Sequence, residues 1–137
     1  MINKIIDEVI EKLSAKGLKE VYSEYDAIPA DRKSRQFYII IGSDTFESQQ
    51  PVYSPANIFL PYKAVISVRV TAPENYSMNK LYEYFSGNVK PVIMENTGTD
   101  FYIKRVSMKH DTQISRLVLT AEISVTGIEK YERNPET

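Results

Sequence analysis

The first residues of the chain place apolar and charged side chains with the period of an α-helix. The acids and lysines of this segment lie opposite the apolar positions, and Gly17 follows the last periodic residue, where helices commonly end in a left-handed conformation. The pattern predicts an amphipathic N-terminal helix whose apolar stripe packs on a sheet. The stripe consists of Ile2, Ile5, Ile6, Val9, Ile10 and Leu13.

Two segments in the first half of the chain have the pattern of β-strands. Residues 36–42 are aromatic and β-branched and close on a glycine. In residues 58–71 the even positions from Ala64 onwards are apolar, whereas the odd positions are mostly polar, which is typical of a sheet covered on one face. Residues 18–26 predict a strand or an extended lead-in, and residues 28–33, which contain a proline, predict a turn.

The C-terminal half predicts an antiparallel hairpin. Residues 101–109 form its first strand and residues 113–127 its second, in which apolar side chains alternate with polar ones. The apolar phase of the first strand shifts between Ile103 and Val106. Such a shift is typical of a β-bulge or of a two-sided environment.

The region before this hairpin predicts a second helix at residues 76–86. Gly87 and the asparagine after it are expected to end that helix. Residues 89–94 read as a short strand interrupted by Pro91, and the polar residues 95–100 predict a tight turn.

Residues 43–57 predict the main loop, because they hold two prolines and few aliphatic side chains. Loops of this length are uncommon in compact domains unless they are functional or disordered. Phe46 and Tyr53 are large aromatic residues in this polar segment. They either pack back on their own domain or dock on a neighbouring molecule.

These elements together predict an α+β domain. We expect a mostly antiparallel mixed β-sheet with the N-terminal amphipathic helix and a second helix packed on one face. The 137 residues suffice for one domain, which we place at residues 1–128, followed by a polar, flexible tail at residues 129–137.

Composition excludes several classes of function. The chain has no cysteine and one histidine, which excludes disulfides, thiolate chemistry and multi-histidine zinc sites within one chain. Its 17 basic and 18 acidic side chains leave no global charge to attract nucleic acid or a membrane. The N-terminal acids do not fit a signal peptide, so we expect a cytoplasmic protein. The ten tyrosines suit wet protein interfaces.

No catalytic motif is present. The five glycines are scattered and build neither a phosphate-binding loop nor a dinucleotide fingerprint, and no nucleophile elbow or calcium loop occurs. His110 and Asp111 are adjacent on an extended segment, so their side chains point to opposite faces and make a poor catalytic pair. We therefore expect no catalytic residue, no metal site, no cofactor and no small-molecule substrate.

Charged residues near the C-terminal hairpin offer a weaker signal. Glu122 falls on the polar side of its strand, where a cross-strand base, Arg105 or Arg69, is the simplest partner. The basic side chains form a solvated outer face or an electrostatic patch for a protein partner rather than a nucleic-acid site. They are Lys104, Arg105, Lys109, His110 and Arg116.

Several segments follow one another in a characteristic order over residues 1–127. After the isoleucine-rich helix come Tyr-Asp-Ala-Ile-Pro at 25–29, Phe-Tyr-Ile-Ile-Ile-Gly at 37–42, Tyr-Ser-Pro at 53–55, Pro-Tyr-Lys-Ala at 61–64 entering Val-Ile-Ser-Val-Arg-Val at 65–70, Leu-Tyr-Glu-Tyr-Phe at 81–85, Ile-Lys-Arg at 103–105 and Ala-Glu-Ile-Ser-Val-Thr-Gly at 121–127. This order resembles that of bacteriophage tail terminator proteins, including the cap or collar subunits of phage-tail-like contractile particles.

The resemblance implies a structural role. It implies a homohexameric ring that sits on the last ring of the tail tube, stops tube growth and presents a head-proximal interface, with tube protein and sheath protein as partners. It also implies assembly in the cytoplasm followed by incorporation into the particle. The resemblance implies no catalytic group and no cofactor.

Candidate interface residues follow from the loop and from the basic patch. In the loop we expect Phe46, Glu47 and Tyr53 to contact tube or sheath. Charged contacts between subunits or with the tube are expected from Lys104, Arg105, Lys109 and Arg116, and Lys63 and Arg69 are further candidate interface residues.

Two alternative functions remain open from the sequence. The first is a head-tail connector or tail completion protein, which differs by its place in the particle. The second is a small enzyme or ligand-binding α+β domain, which needs a pocket with convergent polar groups.

Overall fold

The computed structural model describes residues 2–18, 21–23, 37–95 and 100–133. The turn predicted at 28–33, the segment 25–29, residues 96–99 of the turn predicted at 95–100 and residues 134–137 of the predicted tail lie outside this description. The described elements are α1 (Ile2–Ala15), β1 (Val21–Ser23), β2 (Tyr38–Ser48), β3 (Val52–Tyr53), β4 (Asn57–Pro73), α2 (Met78–Tyr84), a π-helical turn (Phe85–Val89), α3 (Lys90–Met94), β5 (Phe101–Asp111) and β6 (Arg116–Glu132).

The strands form one mixed sheet in the order β1-β2-β4-β6-β5, with β3 paired to β4. β1 runs parallel to β2, and all other described pairs are antiparallel. β4 and β6 are paired along their whole lengths, from Asn57 opposite Glu132 to Pro73 opposite Arg116. This long central pair explains the alternation that the sequence shows in both segments.

The helices pack on one face of the sheet, so the predicted α+β class is confirmed. The core joins Ile6, Val9 and Leu13 of the α1 stripe to the even positions of β4 and the odd positions of β6, which the alternation had assigned to the covered face. Leu13, Ile66, Leu81 and Ile123 are completely buried there. Burial of this apolar surface supplies the main stabilisation of the fold.

The end of α1 follows the predicted glycine cap. Gly17 has φ +92°, a left-handed conformation that costs glycine little. The Gly17 N–H donates to the Ser14 carbonyl at 3.0 Å, and the Leu18 N–H donates to the Leu13 carbonyl at 3.4 Å. These hydrogen bonds satisfy carbonyl groups that have no partner within the helix, as in a Schellman motif.

The second helical segment departs from the prediction. The chain does not leave the helix at Gly87; it passes through the π-helical turn and continues as α3, so the predicted end of the helix and the strand predicted at 89–94 are both wrong. Pro91 falls in the first turn of α3, where a missing N–H is tolerated. The Asn88 side chain donates to the Tyr84 carbonyl at 3.2 Å across the π-helical turn.

The strands of the C-terminal hairpin differ from the prediction at their ends, since the second strand begins at Arg116 rather than at residue 113. The antiparallel hairpin is confirmed, and its register shifts between Ile103 and Arg105, where the sequence indicated a bulge. The second strand does not end at Gly127 but continues to Glu132. The first four residues of the predicted tail, 129–132, are therefore strand.

The predicted main loop is mostly strand. β2 continues to Ser48 after a register shift between Ser43 and Thr45, and β3 pairs with the start of β4. Residues 44–63, together with residues 126–132 of β6 and Arg133 after it, thus form a sheet extension beyond the helices. We call this extension the β-arm.

Gly127 lies at the base of the β-arm beneath the ring of Tyr62, its cross-strand partner. A Cβ at this position would lie 2.6 Å from Tyr62 Cζ, well inside van der Waals contact. We expect Gly127→Ala to lower the free energy of unfolding by about 1–3 kcal/mol, because the Tyr62 ring must move to make room for the added methyl group. Chemical denaturation measures this loss.

Gly87→Ala is the matched control for Gly127→Ala. No atom lies within 4 Å of the added methyl, and the backbone there is not left-handed. We expect Gly87→Ala to be neutral or stabilising, because alanine is favoured over glycine in helical backbone. Equal losses in the two variants would contradict the contact with Tyr62.

Candidate interaction surfaces

Large exposed apolar side chains of the described residues fall into two main groups. Five of them lie on the β-arm and four on β5 or the turn after it; the others are Tyr82 and Met94 on the helices. The β-arm group is Phe46, Val52, Tyr53, Ile128 and Tyr131. The second group, the β5 surface, is Tyr102, Val106, Met108 and Ile114.

The β-arm has apolar side chains on both of its faces. Residues directly opposite in antiparallel strands share a face. Tyr53, Ile58 and Tyr131 form one such row, on the face that continues into the core. Val52 lies opposite Phe59 on the other face. Because this three-stranded extension has large apolar side chains on both faces, neither face is polar in the way that a purely solvent-exposed face usually is.

The two predicted aromatic residues of the β-arm have different environments. Phe46 stacks on Tyr62 with ring centroids 5.3 Å apart, yet it remains 44% exposed. Tyr53 is 65% exposed, and the Arg133 guanidinium lies 5.8 Å from its ring centroid. Phe46 therefore packs partly on its own domain, and Tyr53 leaves most of its surface open at the tip.

The negative charge of Glu129 affects two tyrosines of the β-arm, Tyr62 and Tyr131. Burial, and next the negative charge of Glu129, raise the pKa of Tyr62 above its usual value. The Glu129 carboxylate accepts a hydrogen bond from the Tyr131 hydroxyl at 3.2 Å and raises the pKa of that phenol also. Both tyrosines thus stay neutral hydrogen-bonding groups at physiological pH.

The bases of β5 lie on the sheet face opposite Val106 and Met108, because Arg105 pairs across the sheet with Glu122 whereas Val106 and Met108 pair with core residues. Arg105 forms an ion pair with Glu122 at 2.8 Å, which confirms one of the two partners expected for that acid. The hydrogen bond from Arg105 is the main reason that the pKa of Glu122 lies below its usual value. Lys104 lies at the bulge, and Lys109 pairs across the sheet with Val118.

Three further predicted interface residues are Glu47, Lys63 and Arg69. Glu47 and Lys63 are cross-strand neighbours near the base of the β-arm, and both are exposed. Arg69 lies farther along β4 and forms an ion pair with Asp44 at 3.6 Å. The structure thus places Glu47 and Lys63 beside each other, whereas Arg69 forms its ion pair with Asp44.

Arg116 differs from the other predicted interface residues because it is buried, with only 3% exposure. Its Nε donates to Thr71 Oγ1 at 2.9 Å, and its guanidinium lies 4.5 Å from the Tyr38 ring centroid. Burial lowers the pKa of Arg116. A side chain with so little exposed surface stabilises the fold of its own chain, and the contact with a partner that was expected of Arg116 stays a prediction.

The Arg116 side chain is expected to contribute to stability. We expect Arg116→Ala to lower the free energy of unfolding by about 1.5–3 kcal/mol, because the buried threonine hydroxyl and the aromatic ring lose a charged partner. Urea denaturation measures the change. Arg69→Ala is the control and should cost about 0–1 kcal/mol, as is usual for an exposed ion pair.

The sheet face opposite the helices forms an open concavity of about 630 Å³. Its lining includes Tyr38, Ile40, Arg69, Val118 and Thr120. No group of three metal-ligating side chains occurs among the described residues. The described helices include none long and apolar enough to cross a membrane.

His110 has a partner other than its neighbour in sequence. Its Nε2 lies 3.0 Å from Oε2 of Glu74, in the turn after β4, and both side chains are about half exposed. The adjacent Asp111 instead accepts from the Gln113 N–H at 3.1 Å. His110 and Asp111 therefore do not form a pair.

Comparison with solved structures yields distant likenesses. No protein-family model matches the chain, and no curated protein does. Among solved structures, a chain of the "Virion of native gene transfer agent (GTA) particle" is 11% identical, with a TM-score of 0.48, over 86% of this chain and 90% of that one. The core region of PilO from the type IV pilus system of Pseudomonas aeruginosa is 12% identical, with a TM-score of 0.28, over 69% and 84%.

A second PilO structure, the type 4 fimbrial biogenesis protein from Pseudomonas aeruginosa, is 11% identical with a TM-score of 0.29, over 93% of this chain and 71% of that one. All three TM-scores lie below 0.5. These likenesses establish neither a family nor a function.

Proposed function

We propose that this protein is a structural assembly subunit that forms a ring on the end of a phage tail or phage-tail-like tube and terminates its growth. The observation that carries the proposal is the β-arm, which has large exposed apolar side chains on both of its faces. Such an extension gains stability when neighbouring molecules cover it. The order of sequence segments shared with tail terminators supports the same role.

The proposed mechanism is steric and needs no catalytic group. Head-to-tail contacts between different patches of identical subunits close into a ring when the rotation between subunits is suitable. One side of the ring then matches the end of the tube. The other side lacks the surface that a further tube ring requires, so polymerisation stops.

The partners in this proposal are further copies of the chain, the tube protein and, in a contractile particle, the sheath protein. The exposed residues Phe46, Glu47 and Tyr53 supply β-arm contacts, and Lys63, Lys104 and Lys109 supply charged contacts. Assembly takes place in the bacterial cytoplasm, and the ring then remains in the particle. Nucleic acid, membranes and small molecules are not partners.

The first test is the mass in solution by light scattering after size exclusion, for the chain alone and for the chain mixed with the candidate tube subunit. We expect a ring of about 94 kDa, six times 15.7 kDa, alone or on contact with tube. A monomer that ignores the tube protein and melts at a higher temperature with a specific small molecule would instead favour a ligand-binding domain using the concavity.

The second test is the length of the assembled particles. We expect the double variant Phe46→Ala, Tyr53→Ala to yield overlong or unfinished tubes, while Tyr82→Ala, an exposed aromatic change on α2, leaves tube length unchanged. Labelling of the chain at the opposite, head-distal end of the particle would contradict a terminator. Tubes of normal length from the double variant would show that Phe46 and Tyr53 have no part in the mechanism.

A further inference from the structure

The last part of β6 has an open backbone edge on the side of β5. Beyond the end of β5 only Thr126 continues the contact, because its N–H donates to the Asp100 carbonyl at 3.0 Å. Successive residues of a strand direct their backbone groups to alternate sides. The backbone groups of Ile128, Lys130 and Glu132 therefore point to the same side as those of Thr126. No strand of the described part of the chain pairs with β6 there.

The other side of β6 agrees with these directions. Pro61, which has no N–H to donate, lies opposite Ile128. The Arg133 N–H donates to the carbonyl of Ala56, the residue before β4, at 2.8 Å. Odd positions at the end of β6 thus bond towards β4, and even positions face the open edge. An open edge is a template on which a further strand can pair.

The charges along this edge are complementary to their own reverse order. The chain reads Glu-Lys-Tyr-Glu-Arg from 129 to 133. In an antiparallel pair of two such segments with Tyr131 opposite Tyr131, Glu129 lies opposite Arg133. In the same register Lys130 lies opposite Glu132. Every charged side chain of the segment then faces one of opposite sign, and residues directly opposite share a face of the sheet.

The same register also satisfies the backbone. It places even positions opposite even positions, so Lys130 and Glu132 exchange the hydrogen bonds of the open edge. Tyr131 then occupies a non-hydrogen-bonded pair, in which side chains approach most closely. A shift of two residues in either direction places Lys130 opposite Lys130 or Glu132 opposite Glu132. A shift of one residue turns the backbone groups of one strand away. The charges and the backbone therefore select one register.

The side chains of this edge are accessible. Tyr131 is 50% exposed and Ile128 is 61% exposed, and Lys130 and Glu132 are exposed as well. Neither Lys130 nor Glu132 forms an ion pair with a described residue. The Glu129 carboxylate accepts only the nearby Tyr131 hydroxyl at 3.2 Å among the described side chains. Opposite charges on a second strand can therefore reach this edge without breaking an ion pair.

We propose that two copies of this chain join through this edge as a two-fold dimer. Residues 129–133 of one copy pair antiparallel with residues 129–133 of the other, with Tyr131 at the axis. The two helical layers lie at opposite ends of the shared sheet, because the paired strands run in opposite directions. The reversed charge order identifies the partner as a second copy. The dimer goes beyond the proposed function, since a two-fold contact closes on two copies and builds no larger ring by itself.

The tyrosine at the axis offers a direct test, because the chain has no cysteine of its own. In a non-hydrogen-bonded pair the two Cα atoms lie about 4.5 Å apart, which a disulfide can span. We expect Tyr131→Cys to give a covalent dimer of about 31 kDa, twice 15.7 kDa, on mild oxidation. Its yield should exceed that of Tyr53→Cys, the exposed control on the same β-arm, by about tenfold. Equal yields would overturn the proposal.

Charge reversal tests the register without a covalent bond. Lys130→Glu and Glu132→Lys each place like charges opposite on both sides of the axis, so each should weaken the dimer about tenfold. An equimolar mixture of the two variants should regain the wild-type affinity, because the reversed side chains then face opposite charges. Sedimentation velocity over a range of concentrations measures the dissociation constant. Thermal melts confirm that these exposed substitutions leave the fold intact.

Each remaining outcome is decisive. A wild-type chain that stays monomeric at its highest soluble concentration overturns the dimer. So does a dimer that ignores both reversals, or a mixture that associates no better than its components. These results leave the proposed ring untouched, because the ring is tested with the tube subunit. A dimer with the expected response to charge that never assembles with the tube subunit supports this contact and contradicts the ring.

Discussion

Phe85→Ala should lower the free energy of unfolding by about 3–5 kcal/mol, the largest loss that we expect from a single substitution. Phe85 begins the π-helical turn and is only 1% exposed. Its ring belongs to the same core cluster as Leu81 and Ile93. Truncation removes the apolar surface and leaves a cavity that the surrounding side chains fill only in part.

Denaturation in urea, monitored by circular dichroism, measures the effect of Phe85→Ala. Tyr82→Ala is the matched control, because Tyr82 is an aromatic residue of the same helical segment but is 41% exposed. It should cost less than half as much. If the two variants lose equal stability, Phe85 is not a core residue and the inward placement of the π-helical turn is wrong.

Leu13→Ala should lower the free energy of unfolding by about 2–5 kcal/mol. Leu13 is completely buried in the last turn of α1, and its carbonyl also accepts the hydrogen bonds that close the helix end. The backbone bonds survive the substitution, so the loss reports the packing of the side chain against the sheet.

Glu11→Ala is the control for Leu13→Ala. Glu11 is exposed on the same helix, and alanine is a better helix former, so its substitution should change stability by at most about 0.5 kcal/mol. Thermal melts of both variants check the comparison. A small loss in Leu13→Ala would mean that α1 is not part of the folded core.

Long periodic segments allowed much of the fold to be predicted. The stripe of α1 and the alternation of β4 and β6 each report which side chains are buried, because burial repeats with the geometry of the element. Gly17 marked the end of α1 correctly, since a left-handed position favours glycine whatever the surroundings. The bulge near Ile103 was visible as a break in the phase of one strand.

Local signals failed where tertiary packing outweighed them. Gly87 and Pro91 are usual signs of a helix end, yet Phe85, Val89 and Ile93 place apolar side chains in the core only if the segment stays helical. Residues 43–48 are too polar to predict a strand by propensity. They extend β2 because β4 offers a long partner whose backbone groups they satisfy.

The candidate interface divides in the same way. Phe46 and Tyr53 could be singled out from the sequence, because large aromatic residues in a polar segment need a surface to contact. Ile128 and Tyr131 could not, since the strand that carries them extended past its predicted end. The basic residues of β5 could be listed, and Arg105 was one of two partners expected for Glu122, but only the strand register decided between Arg105 and Arg69.

The sequence by itself determined the class of fold, the stripe of α1, the faces of the central strands and the net charge. These depend on the period of side chains along one element, which is a local property. Only the tertiary structure decided that Arg116 is buried against Thr71, that the predicted loop is a β-arm, and that its apolar tip lies about 40 Å from the β5 surface. These depend on which distant strands pair and in which register, and a pattern read along one strand does not contain that information.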